Sequence, residues 1–248
     1  MNPGPESPQS NPAAASAPAD AAAASTAPSR GPSWLVLTGV ALLVMLLVRG
    51  LLVQSFYVPS GSMEPAIEPG DRILVNKTVD TEDLRRGDVV VFDGSHSFAG
   101  PSPAPYQSEG LIGRTLAGAA SLFGVNLGEK DFVKRIVGLP GDRVACCDEQ
   151  GRMTVNGTAV TEDYLPPKVR PSDVTFDVTV PADRLWVMGD NRSNSADSRA
   201  HLGDPGGGMV RLSDVVGRVW ATYWPLSRVG GFDTPPALSS IARAKGAS

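Results

Sequence analysis

From Trp34 to Val53 the chain is apolar except for Thr38 and Arg49, and roughly 20 such residues at about 1.5 Å each match a hydrocarbon core of about 30 Å. The pattern predicts one transmembrane helix over 34–53, with Trp34 suited to one interface and Arg49 able to snorkel to headgroups at the other. The competing reading is a cleavable leader. The preceding region is too long for that, carries Arg30 as its only basic residue, and no convincing small-x-small site follows. Residues 1–33 are rich in Ala, Pro and Ser, with almost nothing to bury, so a disordered tail is expected there.

Beyond the apolar run the pattern changes to short stretches rich in β-branched and aromatic residues, punctuated by Gly, Pro and Asp. Strands are expected at 72–76, 88–92, 132–137, 142–146, 153–155, 174–180, 185–188 and 215–223. Asn156-Gly157 between two such runs signals a tight hairpin. The fold class is mostly β, a curled antiparallel, barrel-like sheet over 54–228 with a small extra lobe over 143–186. The Gly94 to Gly110 stretch reads as a surface loop, Leu116 to Phe123 as a short apolar helix, and 229–248 as a flexible tail.

A net charge of −4 and a pI near 5.2 leave no basic footprint for nucleic acid. Two isolated histidines and no CxxC argue against a metal site, and no Gly-rich phosphate loop suggests a nucleotide, so no cofactor is expected. Cys146 and Cys147 are adjacent. Across a trans peptide their α-carbons would sit about 3.8 Å apart, below the usual disulfide range of about 4.4 to 6.8 Å, which favours two thiols, an intermolecular link or a redox-dependent one.

Three polar features could carry chemistry. Ser60-Gly61-Ser62 lies between Pro59 and Pro65, which favour an extended segment over a helix. Lys134 sits in the apolar strand Phe132-Val133-Lys134-Arg135-Ile136-Val137. Gly189 to Arg199 forms a polar cluster. A serine needs a base, usually histidine; His96 and His201 lie in loops without a partner motif and read as solvated. A lysine can serve only when neutral, so its pKa of about 10.4 must fall to roughly 7 to 8, and apolar neighbours do this by desolvation. Lys77, after another apolar strand, is the rival base.

These segments, with Gly70-Asp71-Arg72-Ile73-Leu74-Val75-Asn76-Lys77 as a fourth box, resemble in order the type I signal peptidases, membrane-bound Ser/Lys proteases that remove signal peptides from exported proteins. The likeness runs from about Gln54 to Pro225. It implies Ser62 as nucleophile, Lys134 as general base, the Ser60 hydroxyl as an oxyanion donor beside the Ser62 amide, and Ser195 as the group that orients the lysine amine by a hydrogen bond. It implies that Asp197 and Arg199 form an ion pair and that Asp190 supports the loop. Val58, Pro59, Met63, Ile67, Phe132 and Val133 would line pockets for small side chains, the substrate adding as a strand. The implied partners are exported preproteins and the lipid bilayer. The implied location is the cell membrane, single-pass, with the catalytic domain outside, although Arg49, Arg72, Lys77, Arg85 and Arg86 weigh the other way by the positive-inside rule. Oligomeric state is not indicated. A Ser-x-x-Lys penicillin-recognising enzyme is disfavoured because no lysine has a serine three positions before it. A self-cleaving repressor protease also uses a Ser/Lys pair, but the apolar run and the lack of a DNA-reading segment oppose it. The non-catalytic alternative is an anchored β domain that binds partners.

Overall fold

The computed structural model describes residues 33–98, 125–126 and 130–242. The first element is the helix α1, Trp34–Leu51. At about 1.5 Å per residue its 18 residues rise roughly 27 Å, and its large apolar side chains from Trp34 to Met45 are exposed. Among the described residues no helix is long and apolar enough to cross a membrane. The span expected over 34–53 therefore differs from what forms. The helix ends at Leu51, and Val53 already belongs to the strand β1, Val53–Tyr57, because residues 53–57 pair with Arg72–Asn76 (β2) in antiparallel register.

The rest is mostly β. In chain order the further strands are β3 (Val89–Asp93), β4 (Val125–Asn126), β5 (Asp131–Gly138), β6 (Arg143–Cys146), β7 (Thr154–Val155), β8 (Thr158–Ala159), β9 (Phe176–Thr179), β10 (Arg184–Met188), β11 (Val210–Arg211), β12 (Val215–Trp224) and β13 (Gly230–Gly231). Among the described residues, one sheet runs in the order β11-β10-β5-β3-β12-β2-β1-β4, with β13 also paired to β12. All of its pairings are antiparallel except β1 with β4. Register shifts interrupt β12 against both its neighbours and β10 against β5. Such bulges add twist and let a sheet curl into a half-barrel. Gly217 sits at one of them, and a Cβ there would lie 2.3 Å from the Asn76 carbonyl oxygen.

Alternation along the strands sends side chains to two faces. One apolar cluster gathers Phe56, Val58, Met63, Ile67, Ile73, Val75, Val89, Val91, Val133 and Val219; another gathers Leu84, Val90, Phe92, Phe98, Ile136 and Leu185. A four-stranded sheet, order β8-β7-β6-β9, covers a third cluster around Trp186, Met153 and Val144. Its hairpin turns at Asn156 (φ 53°) and Gly157 (φ 78°), the left-handed pair that a two-residue type I′ loop requires.

Two expectations need correction. The segment from 229 is not a loose tail as far as Ala242. β13 pairs with β12, the short helix α2 (Pro236–Ser239) follows, and Leu238 and Ile241 are buried in the third cluster. Buried Arg86 grips this strap, donating to the Ile241 and Ala242 carbonyls while pairing with both carboxylate oxygens of Asp142 at 2.6 Å. Cys146 and Cys147 are joined to each other across a cis peptide, with α-carbons 2.9 Å apart, so the pair is a disulfide within the chain and not two thiols or an intermolecular link. The apolar helix expected at 116–123 and the loop residues 99–110 lie outside the described residues; the loop's first residues, Gly94–His96, form a 3-10 turn.

Candidate active site

β1 leads straight into the serine segment. The Val58 amide donates to the Asp71 carbonyl and the Gly70 amide to the Val58 carbonyl, so the loop 59–69 is closed at its base, and the Ile67 amide donates to the Met63 carbonyl inside it. Met63 and Ile67 bury their side chains in the cluster beneath, leaving Ser60 exposed and Ser62 partly exposed. The two hydroxyls face the same side, 3.5 Å apart.

β5 brings Lys134 to that loop. The Lys134 Nζ donates to Ser62 Oγ at 2.8 Å and to the Val133 carbonyl at 2.9 Å. Only 3% of Lys134 is exposed, and the Phe132 ring lies 5.9 Å from its ammonium. Burial pulls its pKa down to about 8, against a raising influence from Asp197 and Asp190. The rival Lys77 is exposed.

The turn after β10 completes the cluster. Asp190 accepts from Nε and Nη2 of Arg135 at 2.8 and 2.6 Å, and Nη1 donates to the Gly87 carbonyl at 2.7 Å. Arg199 pairs with Asp197 at 2.9 and 2.7 Å, and Asp197 also accepts from the Gly189 amide. Burial raises the Asp197 carboxyl, but Arg199 and the Gly189 amide overcome it and hold the group below its ordinary range. Gly189 has no room for a side chain: a Cβ would come 2.2 Å from Ser195 Oγ and 2.4 Å from the Ser62 carbonyl oxygen.

Not every expected contact forms. Buried Ser195 Oγ lies beside the Asp197 carboxyl, which it helps hold low, and the bond expected from it to the lysine amine is absent; that amine is held by Ser62 and Val133 instead. Val58, Met63, Ile67 and Val133 lie together but as buried core, Pro59 is exposed, and Phe132 stacks on Phe92 and meets Phe98 edge to face. His201 is not simply solvated. Its Nδ1 meets Asp204 at 2.7 Å and its ring stacks on Phe98. His96 is exposed, 3.5 Å from Asp214. Among the described residues no group of His, Cys, Asp and Glu could hold a metal ion.

Several participants were not legible in the sequence. Arg192 pairs with Glu162 and donates to Tyr164, the Pro171 carbonyl and the Gly189 carbonyl, tying the 162–171 loop to the turn. Asn191 bonds the serine loop from the other side. Only the fold brings these together.

A serine hydroxyl in contact with a buried lysine amine is an arrangement in which a neutral amine can take the hydroxyl proton. Residues 32–224 match the family model described as signal peptidase, peptidase S26. The chain belongs to this family. By that membership it is a serine endopeptidase. It is similar to a probable signal peptidase I of Mycobacterium leprae, 38% identical over 206 residues, 72% of this chain and 71% of that one. It is also similar to signal peptidase I of Mycobacterium tuberculosis, 35% identical over 79% of this chain and 73% of that one, and of Leptolyngbya laminosa, 30% identical over 80% and 82%.

Proposed function

We propose that this peptidase removes N-terminal signal peptides from exported preproteins after small-x-small motifs, with Ser62 as nucleophile and neutral Lys134 as general base. The observation that carries the reading is the 2.8 Å contact between Lys134 Nζ and Ser62 Oγ in a site where the lysine is almost wholly excluded from water. A neutral amine has two hydrogens and one lone pair. With the Val133 carbonyl taking one hydrogen, the lone pair is left to accept the Ser62 proton as the hydroxyl oxygen attacks the scissile carbonyl. The Ser62 amide and the Ser60 hydroxyl are the donors for the oxyanion. Asp190, Asp197 and Arg199 hold the turn that backs the dyad.

The substrate is an extended chain added beside the serine loop, its small side chains over the buried Val58, Met63, Ile67 and Val133, with exposed Pro59 and half-buried Phe132 at the margins. The domain runs from β1 through the strap at 229–242, with the lobe 143–186, behind α1 as an anchor that holds it at the cell membrane, facing the extracytoplasmic side. Two features support the lipid partner: the exposed apolar side chains of α1 and, within the β domain, exposed Trp220, Trp224, Leu226 and Val229, which exceed what scattered surface hydrophobes need.

The test is cleavage of a synthetic signal-peptide substrate by the full chain and its variants. Ser62→Ala and Lys134→Ala are expected to reduce cleavage to background while leaving the melting temperature near that of the parent. Either variant cleaving at the parental rate would sink the dyad.

A further inference from the structure

Asn191 touches the serine loop at three points. Its backbone amide donates to the Ser62 carbonyl at 3.1 Å. Its side-chain Nδ2 donates to the Gly61 carbonyl at 3.0 Å and to Glu64 Oε2 at 3.2 Å. The two acceptors on Nδ2 fix which end of the amide faces the loop, and the Ser193 hydroxyl donates to its oxygen at 3.4 Å.

The Gly61 contact matters most. A peptide unit is planar and trans, so the carbonyl of Gly61 and the N–H of Ser62 point in opposite directions from one rigid plane. Holding the Gly61 oxygen therefore aims the Ser62 N–H. That N–H donates no hydrogen bond among the described residues, as a donor reserved for a developing oxyanion should. Gly61 is also the least restrained kind of residue at this point, and its carbonyl is held from two directions: by the Glu64 amide within the loop at 3.2 Å and by Asn191 Nδ2 from outside it. The side chain of Glu64 folds over Gly61 so closely that a Cβ there would meet its Oε1 at 2.8 Å, which places the carboxylate where it receives the second Nδ2 hydrogen.

We infer that Asn191, oriented by Glu64, is the positioning residue of the oxyanion donor: it holds the Gly61–Ser62 peptide so that the Ser62 N–H points at the substrate carbonyl oxygen. The inference rests on the Ser62 reading above. When Ser62 Oγ bonds to the scissile carbon, the carbonyl π pair moves to oxygen and the serine proton moves to Lys134; the Ser62 N–H then meets the new negative charge. Loss of one such donor costs about 10²–10³ in kcat. A donor left in place but free to turn away loses part of that.

The experiment measures kcat and KM for a synthetic signal-peptide substrate across pH in the parent, Asn191→Ala and the equally sized Asn191→Asp, with thermal melts of each. The expected result is a fall in kcat of roughly tenfold to hundredfold in Asn191→Ala, and more in Asn191→Asp, whose carboxylate faces the Gly61 oxygen and Glu64. In Asn191→Ala KM should stay within about threefold and the pH midpoint should not move, since no charge near Lys134 changes. Glu64→Ala should give a smaller kcat loss of the same kind. Parental kcat in both Asn191 variants, alongside an inactive Ser62→Ala, would overturn this inference and leave the peptidase reading standing. So would a shifted pH midpoint in Asn191→Ala, which would mean action through the lysine, or unfolding of both variants. A parent that fails to cut the substrate would remove the reading and the inference together.

Discussion

Lys134 is a charged residue held where charge is disfavoured. Its pKa of about 8 against 10.5 in water means that protonating it in the folded protein costs on the order of 3 kcal/mol more than in the unfolded chain. That penalty is fully present below pH 8, where both states carry the proton, and is relieved as pH rises from 8 towards 10.5. Activity should follow the neutral fraction. Cleavage is expected to climb about tenfold per pH unit below pH 8 and to level off above it, and Lys134→Arg, which cannot deprotonate, should be inactive at every pH; a flat profile between pH 6 and 8 would count against the assignment. The candidate base was legible because an apolar strand around one lysine is itself a statement about solvation. Ser195 shows the opposite case: sequence names the hydroxyl but not its rotamer, and here it makes no bond to the lysine. Asn191 and Glu64 were invisible for a related reason, since the Asn191 amide meets the Gly61 carbonyl and the Glu64 carboxylate 130 and 127 positions away.

Among the elements, strands were readable wherever β-branched residues ran between Gly, Pro and Asp, as in β2, β5 and β12. Boundaries inside continuous apolar sequence were not. Val53 was assigned to the helical span because hydropathy is blind to the switch from helix to strand, which here is decided by pairing with β2. β11 and β13 are two residues each and are made by their partners, with no pattern of their own. The curl of the large sheet depends on β12, whose bulges need a residue without a side chain where it presses on β2. Gly217→Ala is expected to lower stability by roughly 1–3 kcal/mol, measured as a lower denaturant midpoint with the slope preserved. Full stability in that variant would show that the sheet can give at this crossing.

At the scale of the molecule, the small sheet is joined to the half-barrel by buried charge as well as by apolar packing. Arg86, Asp142 and the strap at Ile241–Ala242 share one set of bonds. Breaking a buried pair from one side typically costs about 3–5 kcal/mol. Arg86→Met should therefore be strongly destabilised, and Asp142→Asn similarly so, whereas removing both charges together in Arg86→Met/Asp142→Leu should recover part of the loss. A urea titration of the three variants checks this, and strictly additive losses would contradict a shared pair. The strap escaped the sequence reading because its Gly, Pro, Ser and Ala content looks like linker. Its order comes from what it covers.

The grip of Arg86 on Ile241 links positions 155 apart. A nascent polypeptide whose residues near Leu238 are still inside the ribosome would leave the third cluster uncovered and two of the guanidinium's acceptors missing. The third cluster and the Arg86 pair can then close only late in synthesis, once residues 229–242 have emerged to cover them.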